Sequence, residues 1–387
     1  MTSIKRIPLQ YLFLSFALLI FSTNLPAQSR KATKYVVIGY VGGRFDSTMV
    51  NPNKLTHIDY AFVNLKGNRA YLGNPARDTV NFKTLVNLKK RNPDLKILIS
   101  IGGWGGCRYF SDAVLSDTAR EGFAASAVEI VRKYNLDGVD IDWKYPDDIG
   151  ANNIFRADDK QNYTLMFQKL RLHLDTLEKQ TGRKMCLTTA VGGFSRYIQL
   201  TEMDKVAKYV DYVSLMTYDL AQDSLHIVLH HTNLYSSKQY NTTCSGDIAA
   251  RDFAAAGVPP EKLVMGVAFY SHTLTSADAT DGKHVLGTKS VHVPQARNWG
   301  GGYTFVKDSL INQHGFKYYR DKDAQAPYLY NDSTKQFVTF DDEWSVANKC
   351  KYVKQHHLAG IMFWEYSEDK KEYLLDEMDK DLKINQD

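Results

Sequence analysis

The sequence predicts an α/β fold, a closed (β/α)8 or TIM barrel with a small α+β insertion after its seventh strand. Short apolar strands alternate with longer amphipathic stretches, which is the pattern of a parallel sheet with helical crossovers. Eight such units occupy roughly 300 residues, near the ~250 residues that are typical of this barrel. The alternation of strands and helices is interrupted in residues 271–330, which are rich in Gly, Thr, Asp and Tyr and lack a long helical period. That interruption predicts an inserted subdomain.

The elements are assigned in chain order from their apolar period. The eight predicted strands are 35–41, 57–64, 96–101, 138–143, 185–191, 212–217, 263–269 and 360–364. The clearest helical patterns are 82–91, 118–134, 160–180 and 205–209. No internal repeat or low-complexity linker divides the chain, so residues 33–385 are predicted to form one domain that includes the insertion 271–330. In such barrels the functional residues lie at the C-terminal ends of the strands.

Residues 1–27 are predicted to be a secretory signal peptide. Lys5 and Arg6 precede the apolar run 11–21, and a small residue, Ala27, ends the segment. The run is too short to span a bilayer, and no later segment offers about twenty uninterrupted apolar residues. We therefore expect an exported protein, periplasmic or extracellular, without a membrane span in the mature chain. A retained N-terminal anchor is the alternative.

Charge and cysteine content exclude several functions. Removing residues 1–27 lowers the net charge of +5 only by the charges of Lys5 and Arg6. A nearly balanced chain gives no case for nucleic-acid binding, which needs a concentrated basic face. The four cysteines lack Cys-x-x-Cys spacing, so neither a metal site nor a cofactor is expected, and their spacing fixes no disulfide pairing. Cys186, in an apolar strand, is expected to be a buried thiol.

The most informative stretch is Asp137-Gly-Val-Asp140-Ile-Asp142-Trp-Lys144. On a strand, Asp140, Asp142 and Lys144 project to one side, and the apolar residues between them project to the other. Burying charges costs several kcal/mol each unless they are paired. A functional site is therefore favoured over the alternative, a buried ion network that only stabilises the core.

This stretch resembles the strand-4 signature of glycoside hydrolase family 18, the chitinase family, which is Asp-x-x-Asp-x-Asp-x-Glu. Lys144 stands where that family has glutamate. Further segments are similar to the family in the same order, and together they cover essentially the whole mature chain. They are Ser100-Ile-Gly102-Gly103-Trp104, Met216-Thr-Tyr218-Asp219, His230-His231-Thr-Asn-Leu-Tyr235, Gly266-Val-Ala-Phe-Tyr270 and Gly360-Ile-Met-Phe-Trp364. One further departure follows Tyr270, where the family usually has Gly-Arg and this chain has Ser271-His272.

The resemblance implies a pocket for N-acetylglucosamine-containing glycans such as chitin or chito-oligosaccharides. It implies catalytic positions at Asp140, Asp142, Tyr218 and, as the altered acid position, Lys144. The sugar-binding positions that it implies are Tyr40, Phe62, Gly102, Gly103, Trp104, Met216, Asp219, Tyr270 and Trp364. Trp364 would form the floor of the central sugar subsite.

The chemistry that the resemblance implies is substrate-assisted, with the acetamide oxygen of the sugar attacking the anomeric carbon. The glutamate that protonates the leaving oxygen is replaced by Lys144, and two adjacent carboxylates stabilise its ammonium form. Loss of a general acid costs about 10² to 10⁴ in rate. An ammonium about 5 Å from an oxocarbenium-like transition state opposes it by about 3 kcal/mol at an effective dielectric near 20. Hydrolysis about 10⁴ to 10⁶ below that of an intact relative is expected.

The sequence leaves three functions open. The leading hypothesis is an exported chitinase-like lectin that binds these glycans without efficient hydrolysis. The second is an active chitinase or endo-β-N-acetylglucosaminidase in which Asp147 or Asp148 replaces the acid, although a solvated loop is the simpler interpretation. Glu365 is expected to face the helices, because its neighbour Trp364 faces the pocket. The third is a scaffold or storage protein whose pocket is unused.

Overall fold

The computed structural model describes residues 35–46, 48–220, 226–241, 244–293 and 297–383. The predicted signal peptide lies outside these residues. The strands are β1 (Val36–Gly42), β2 (His57–Lys66), β3 (Arg69–Tyr71), β4 (Lys96–Gly102), β5 (Gly138–Asp142), β6 (Cys186–Gly192), β7 (Tyr212–Met216), β8 (Leu263–Ala268), β9 (His272–Thr275), β10 (Phe316–Asp321), β11 (Ala326–Asn331), β12 (Gln336–Thr339) and β13 (Gly360–Trp364). The helices are α1 (Pro75–Leu88), α2 (Gly103–Gly106), α3 (Phe110–Ala113), α4 (Asp117–Lys133), α5 (Asp159–Thr181), α6 (Ser195–Gln199), α7 (Met203–Val206), α8 (Gly246–Ala255), α9 (Tyr303–Phe305), α10 (Glu343–Gln355) and α11 (Tyr373–Leu382).

Eight parallel strands form the predicted barrel. Their neighbour order is β1, β13, β8, β7, β6, β5, β4, β2, and the pairing of β1 with β2 closes the ring. Each corresponds to one of the eight predicted strands, so the (β/α)8 prediction is confirmed. The register places Asp140 of β5 opposite Ser100 of β4 and Thr188 of β6. This register determines which side chains surround the candidate site.

The two faces of β5 differ as the alternating sequence predicts. Trp143, which follows the strand, is fully buried in the layer between barrel and helices, where its ring stacks on Phe110 with centroids 4.9 Å apart. Val139 and Ile141 belong to the same outer core. Asp140 and Asp142 therefore point into the barrel. Cys186 of β6 is a buried thiol, as expected.

The helices match the sequence pattern less evenly than the strands. Helices α4 and α5 agree with the predicted 118–134 and 160–180 within one residue. Helix α1 begins at Pro75, well before the predicted residue 82. Asn74 caps it by accepting a hydrogen bond from the Arg77 amide, and proline is favoured at the first helical position. The helix predicted at 205–209 is the short α7.

The insertion after β8 contains an antiparallel sheet in the order β10, β11, β12, β9. This sheet runs from His272 to Thr339, past the expected end at residue 330. It has its own small apolar core, which includes Val228, Tyr330 and Phe337. The first strand, β9, starts four residues after β8 ends, so the insertion lies directly against the mouth of the barrel.

Asp341 anchors the end of the insertion to the barrel. Its buried carboxylate accepts hydrogen bonds from Lys349 Nζ and Thr232 Oγ1, each at 2.7 Å, and from the Ala268 amide at 3.1 Å. One carboxylate thereby joins α10, the segment after β7 and the end of β8. Within the described residues, no helix combines the length and apolarity that crossing a bilayer requires.

Candidate active site

Asp140 is held inside the barrel by three hydroxyl groups. Its carboxylate accepts hydrogen bonds from Tyr40 at 2.9 Å, Ser100 at 2.7 Å and Thr188 at 2.7 Å. Burial raises the pKa of Asp140 to about 6, with the neighbouring charge of Asp142 adding to the rise and the three hydroxyls opposing it. The position of Asp140 is therefore fixed by donors from three other strands.

Lys144 pairs with Asp142 instead of with both aspartates. Its Nζ lies 3.0 Å from Asp142 Oδ1 and 2.9 Å from the sulfur of Met216. The side chain of Lys144 is only 20% exposed. Its amide donates to Cys107 Sγ at 3.0 Å, which fixes the backbone just after β5. An ammonium group thus occupies the space beside Asp142.

Five of the six predicted aromatic residues converge at the mouth. The ring of Trp364 lies nearly parallel to Phe62, with centroids 5.5 Å apart and an interplanar angle of 16°, and it is tilted against Tyr40 at 5.5 Å. Tyr218 and Tyr270 meet edge to face at 6.0 Å. These five residues and Met216 belong to one apolar cluster inside the barrel. An apolar surface with polar edges of this kind suits a sugar ring.

The surroundings shift the pKa values of two buried groups in the barrel interior. Burial raises the pKa of Tyr218 well above its ordinary value, and the charge of Asp142 adds to the effect, so its hydroxyl remains a donor. Asp59 of β2 is also buried, opposite Tyr40, and burial together with Asp140 raises its pKa well above the usual range. The sequence interpretation missed Asp59. An aspartate within the otherwise apolar run 57–64 was the available signal.

Gly102 and Gly103 are required by backbone conformation and close packing. Their φ angles are +120° and +80°, a region that favours glycine. A Cβ atom on Gly103 would lie 2.5 Å from the ring of Phe62, and one on Gly102 would lie 2.2 Å from the carbonyl oxygen of Asp142. The two glycines therefore permit the mouth aromatics to approach the end of β4.

Trp104 lies apart from this cluster. Its side chain is 67% exposed, and its ring meets Tyr145 edge to face at 5.4 Å. Tyr145 also lines a neighbouring cavity of about 370 Å³. The cavity is lined by Lys144, Tyr145, Pro146, Asp148, Ile149, Phe194, Ser195, Arg196, Tyr197, Leu200 and Cys244. Lys144 therefore faces both Asp142 and an open cleft.

Asp219 is at the centre of a polar group that the sequence did not predict. Its Oδ1 accepts a hydrogen bond from Tyr270 at 2.7 Å and lies 2.7 Å from Nε2 of His272. Burial would raise the pKa of Asp219, but His231, His272 and Tyr270 together hold it well below its usual range. Burial lowers the pKa of His231 to about 4, so this imidazole is neutral near pH 7. The spacing of these residues along the chain gave no signal of the cluster.

The alternative acids occupy separate environments. Asp148 accepts two hydrogen bonds from Arg196, at 2.5 and 2.7 Å, and this guanidinium lowers the pKa of Asp148. Asp147 adopts a left-handed backbone conformation in the same loop. Glu365 accepts a hydrogen bond from the Gly42 amide at 3.2 Å, at the end of β1. Because its pKa is lowered by arginine, Asp148 is deprotonated at neutral pH and is a poor proton donor.

A closed (β/α)8 barrel with carboxylates at one strand end and an aromatic mouth can bind a sugar, because aromatic rings stack on the apolar faces of sugars. The family model described as "Glycosyl hydrolases family 18" matches residues 36–369. The chain therefore belongs to glycosyl hydrolase family 18, as its motifs predicted.

Individual relatives agree with this assignment. The chain is 34% identical to chitinase A1 of Niallia circulans, over 98% of this chain and 64% of that protein, so it spans somewhat less than two thirds of that relative. It is similar to the structure of a family 18 N-acetylglucosaminidase from Paenibacillus barengoltzii, at 38% identity and a TM-score of 0.80, covering 90% of this chain and 99% of the other. It also resembles human YKL-39, described as a pseudo-chitinase with retained chitooligosaccharide binding, at 25% identity and a TM-score of 0.77, covering 90% and 100% of the two chains.

Proposed function

We infer that this protein is an exported carbohydrate-binding member of family 18 that recognises N-acetylglucosamine-containing glycans and hydrolyses them inefficiently. The glycan class follows from the named relatives, which are a chitinase, an N-acetylglucosaminidase and a chitooligosaccharide-binding pseudo-chitinase. Export follows from the signal-peptide pattern of residues 1–27. Periplasm and extracellular space both fit that pattern.

The observation that carries the loss of hydrolysis is the ion pair between Lys144 and Asp142. At 3.0 Å from Asp142, Lys144 places an ion-paired amine where the family has the glutamate that protonates the leaving oxygen. The same pair engages Asp142 Oδ1, at one of the catalytic positions that the family resemblance implies. Both effects slow the chemical step.

Binding does not depend on that step. A neutral glycan gains affinity from apolar contact and from hydroxyl hydrogen bonds, and the stacked Trp364 and Phe62 offer the former. Asp140, Tyr218 and Asp219 provide polar groups beside them. The half-buried ammonium of Lys144 can donate hydrogen bonds to a sugar hydroxyl.

An active substrate-assisted, retaining glycosidase is the second candidate, and the enzymes among the named relatives favour it. It needs another acid near the leaving oxygen. Asp148 lines the same cavity as Lys144, which makes it the first candidate by position. Its two hydrogen bonds from Arg196 oppose that role, because they stabilise the carboxylate.

Calorimetric titration with chitotetraose, paired with a fluorogenic chitobioside assay, tests the proposal. We expect saturable binding by the wild-type protein and turnover at least about 10⁴-fold below an ordinary chitinase. Trp364→Ala should weaken binding by at least about tenfold. Trp344→Ala is the matched control, since this half-buried tryptophan of α10 contacts Arg320 instead of the mouth.

Two results would overturn the proposal. Absence of binding heat at millimolar chitotetraose would remove the lectin function and leave the scaffold hypothesis. Turnover within about a hundredfold of an ordinary chitinase would establish the active enzyme instead.

A further inference from the structure

Three side chains that could bind a metal ion meet at the junction of the barrel mouth and the insertion. Asp219 follows β7, His231 lies between β7 and α8, and His272 is the first residue of β9. Asp219 Oδ1 lies 2.7 Å from His272 Nε2 and 3.7 Å from His231 Nδ1. One ligand atom from each residue lies within 4.8 Å of the others.

His231 gives an independent reason to expect a ligand there. Its side chain is fully buried, and neither ring nitrogen has a hydrogen-bond partner among the described residues. The 3.7 Å separation from Asp219 is too long for a hydrogen bond. A buried, unsatisfied polar group costs about 1–3 kcal/mol, and coordination of a cation removes that cost.

The other two side chains of the cluster, His272 and Asp219, are open to solvent. The side chains of His272 and Asp219 are 47% and 59% exposed. The rings of His231 and His272 are nearly perpendicular, with centroids 4.6 Å apart. A metal could therefore enter from solvent past His272 and Asp219, and a coordination position would remain accessible.

The ligand types and spacing favour a transition metal. Zn²⁺ binds imidazole nitrogen and carboxylate oxygen at about 2.0–2.2 Å, so tetrahedral ligand atoms are about 3.3 Å apart. The observed separations of 2.7 and 3.7 Å lie on either side of that value. Two imidazoles and one carboxylate with an open position are a common transition-metal set, whereas Ca²⁺ and Mg²⁺ prefer oxygen ligands alone.

We propose that Asp219, His231 and His272 form a binding site for a divalent transition-metal ion such as Zn²⁺. The cysteine spacing that argued against a metal in the sequence does not bear on this site, because its ligands are histidine and aspartate. The site also gives Ser271-His272, the departure from the family pattern, a chemical role. With metal bound, Asp219 is a metal ligand, so the metal and a glycan would influence each other's binding.

Zinc titration of the full mature chain, prepared without a polyhistidine tag and stripped with chelator, tests the site. We expect about one Zn²⁺ per chain with micromolar or tighter affinity, and no comparable binding of Mg²⁺. His272→Ala should weaken zinc binding by at least about 100-fold, the upper end of what loss of a supporting group costs. His284→Ala is the matched control, because His284 is an exposed histidine paired with the carboxylate of Asp281 at 2.9 Å.

A second readout separates coordination from nonspecific binding. Co²⁺ added to the metal-free wild type should produce visible absorption bands of a nitrogen-ligated ion, and His272→Ala and Asp219→Asn should lose them. Equal zinc affinity in wild type and His272→Ala would overturn the proposal. So would an equal loss in His284→Ala, or zinc binding no stronger than that of Mg²⁺.

Discussion

Lys144 lies at the end of β5, where its amino group contacts both a carboxylate and a thioether sulfur. Its Nζ lies 3.0 Å from Asp142 Oδ1, and the sulfur of Met216 accepts a hydrogen bond from it at 2.9 Å. Asp140 is satisfied separately by hydroxyls. A change at Lys144 should therefore alter the chemistry near Asp142 and leave the anchoring of Asp140 intact.

Replacing Lys144 with glutamate should raise chitobioside hydrolysis by at least about a hundredfold, because it restores an acid and removes the opposing ammonium. Lys144→Gln is the control, since it removes the charge without supplying an acid and should gain less. The measurement is initial rate against fluorogenic chitobioside. No gain in Lys144→Glu would locate the defect elsewhere, with the Ser271-His272 segment as the next position to change.

The sequence identified the acidic strand but not the partners of its side chains. Alternation alone places Asp140, Asp142 and Lys144 on one side of β5. The hydroxyls that bind Asp140 come from neighbouring strands, so finding them requires the barrel register. His272 lies 53 residues after Asp219, and only the folded insertion brings the two together.

At the scale of elements, strands were easier to predict than helix ends. A buried parallel strand is a short apolar run bounded by polar residues, and each of the eight runs is visible in the sequence. Helix α1 starts earlier than its apolar period because Asn74 and Pro75 begin it, although the following turn is polar. The insertion extends past the expected residue 330 because β12 pairs with the preceding β11 and with the distant β9, and the apolar pattern does not reveal the pairing with β9.

Gly103→Ala tests the close packing between the β4 end and the mouth aromatics. The φ of +80° and the 2.5 Å approach to Phe62 predict a loss of about 1–3 kcal/mol in unfolding free energy. Displacement of Phe62 should also weaken chitotetraose binding. Urea denaturation and calorimetry measure the two effects.

Gly105→Ala is the control for that experiment. Nothing lies within 4 Å of a Cβ atom placed there, so its unfolding free energy should change by less than about 0.5 kcal/mol. Equal stability of the Gly103→Ala and Gly105→Ala variants would contradict the packing argument.

At the scale of the whole molecule, two buried titratable groups change the folding stability in opposite directions as the pH changes. Burial raises the pKa of Asp140 to about 6, so its contribution to stability decreases as the pH rises toward 6. Burial lowers the pKa of His57, at the start of β2, to about 3. Its contribution is fully present above the unfolded value near 6.5 and is lost as the pH falls. The measured pH profile is the sum of such terms, so a single group is tested by a variant that lacks it.

His57→Gln should therefore remove part of the acid destabilisation of the fold. Between pH 7.5 and pH 4.5 the unfolded chain binds a proton at His57 and the folded chain does not, which costs the wild type about 2.5 kcal/mol. The unfolding free energy of His57→Gln should decrease by that much less over the same interval, as measured by urea denaturation at each pH. The exposed His292→Gln variant should retain the wild-type pH dependence. Parallel curves for His57→Gln and wild type would show that this imidazole is protonated in the folded barrel.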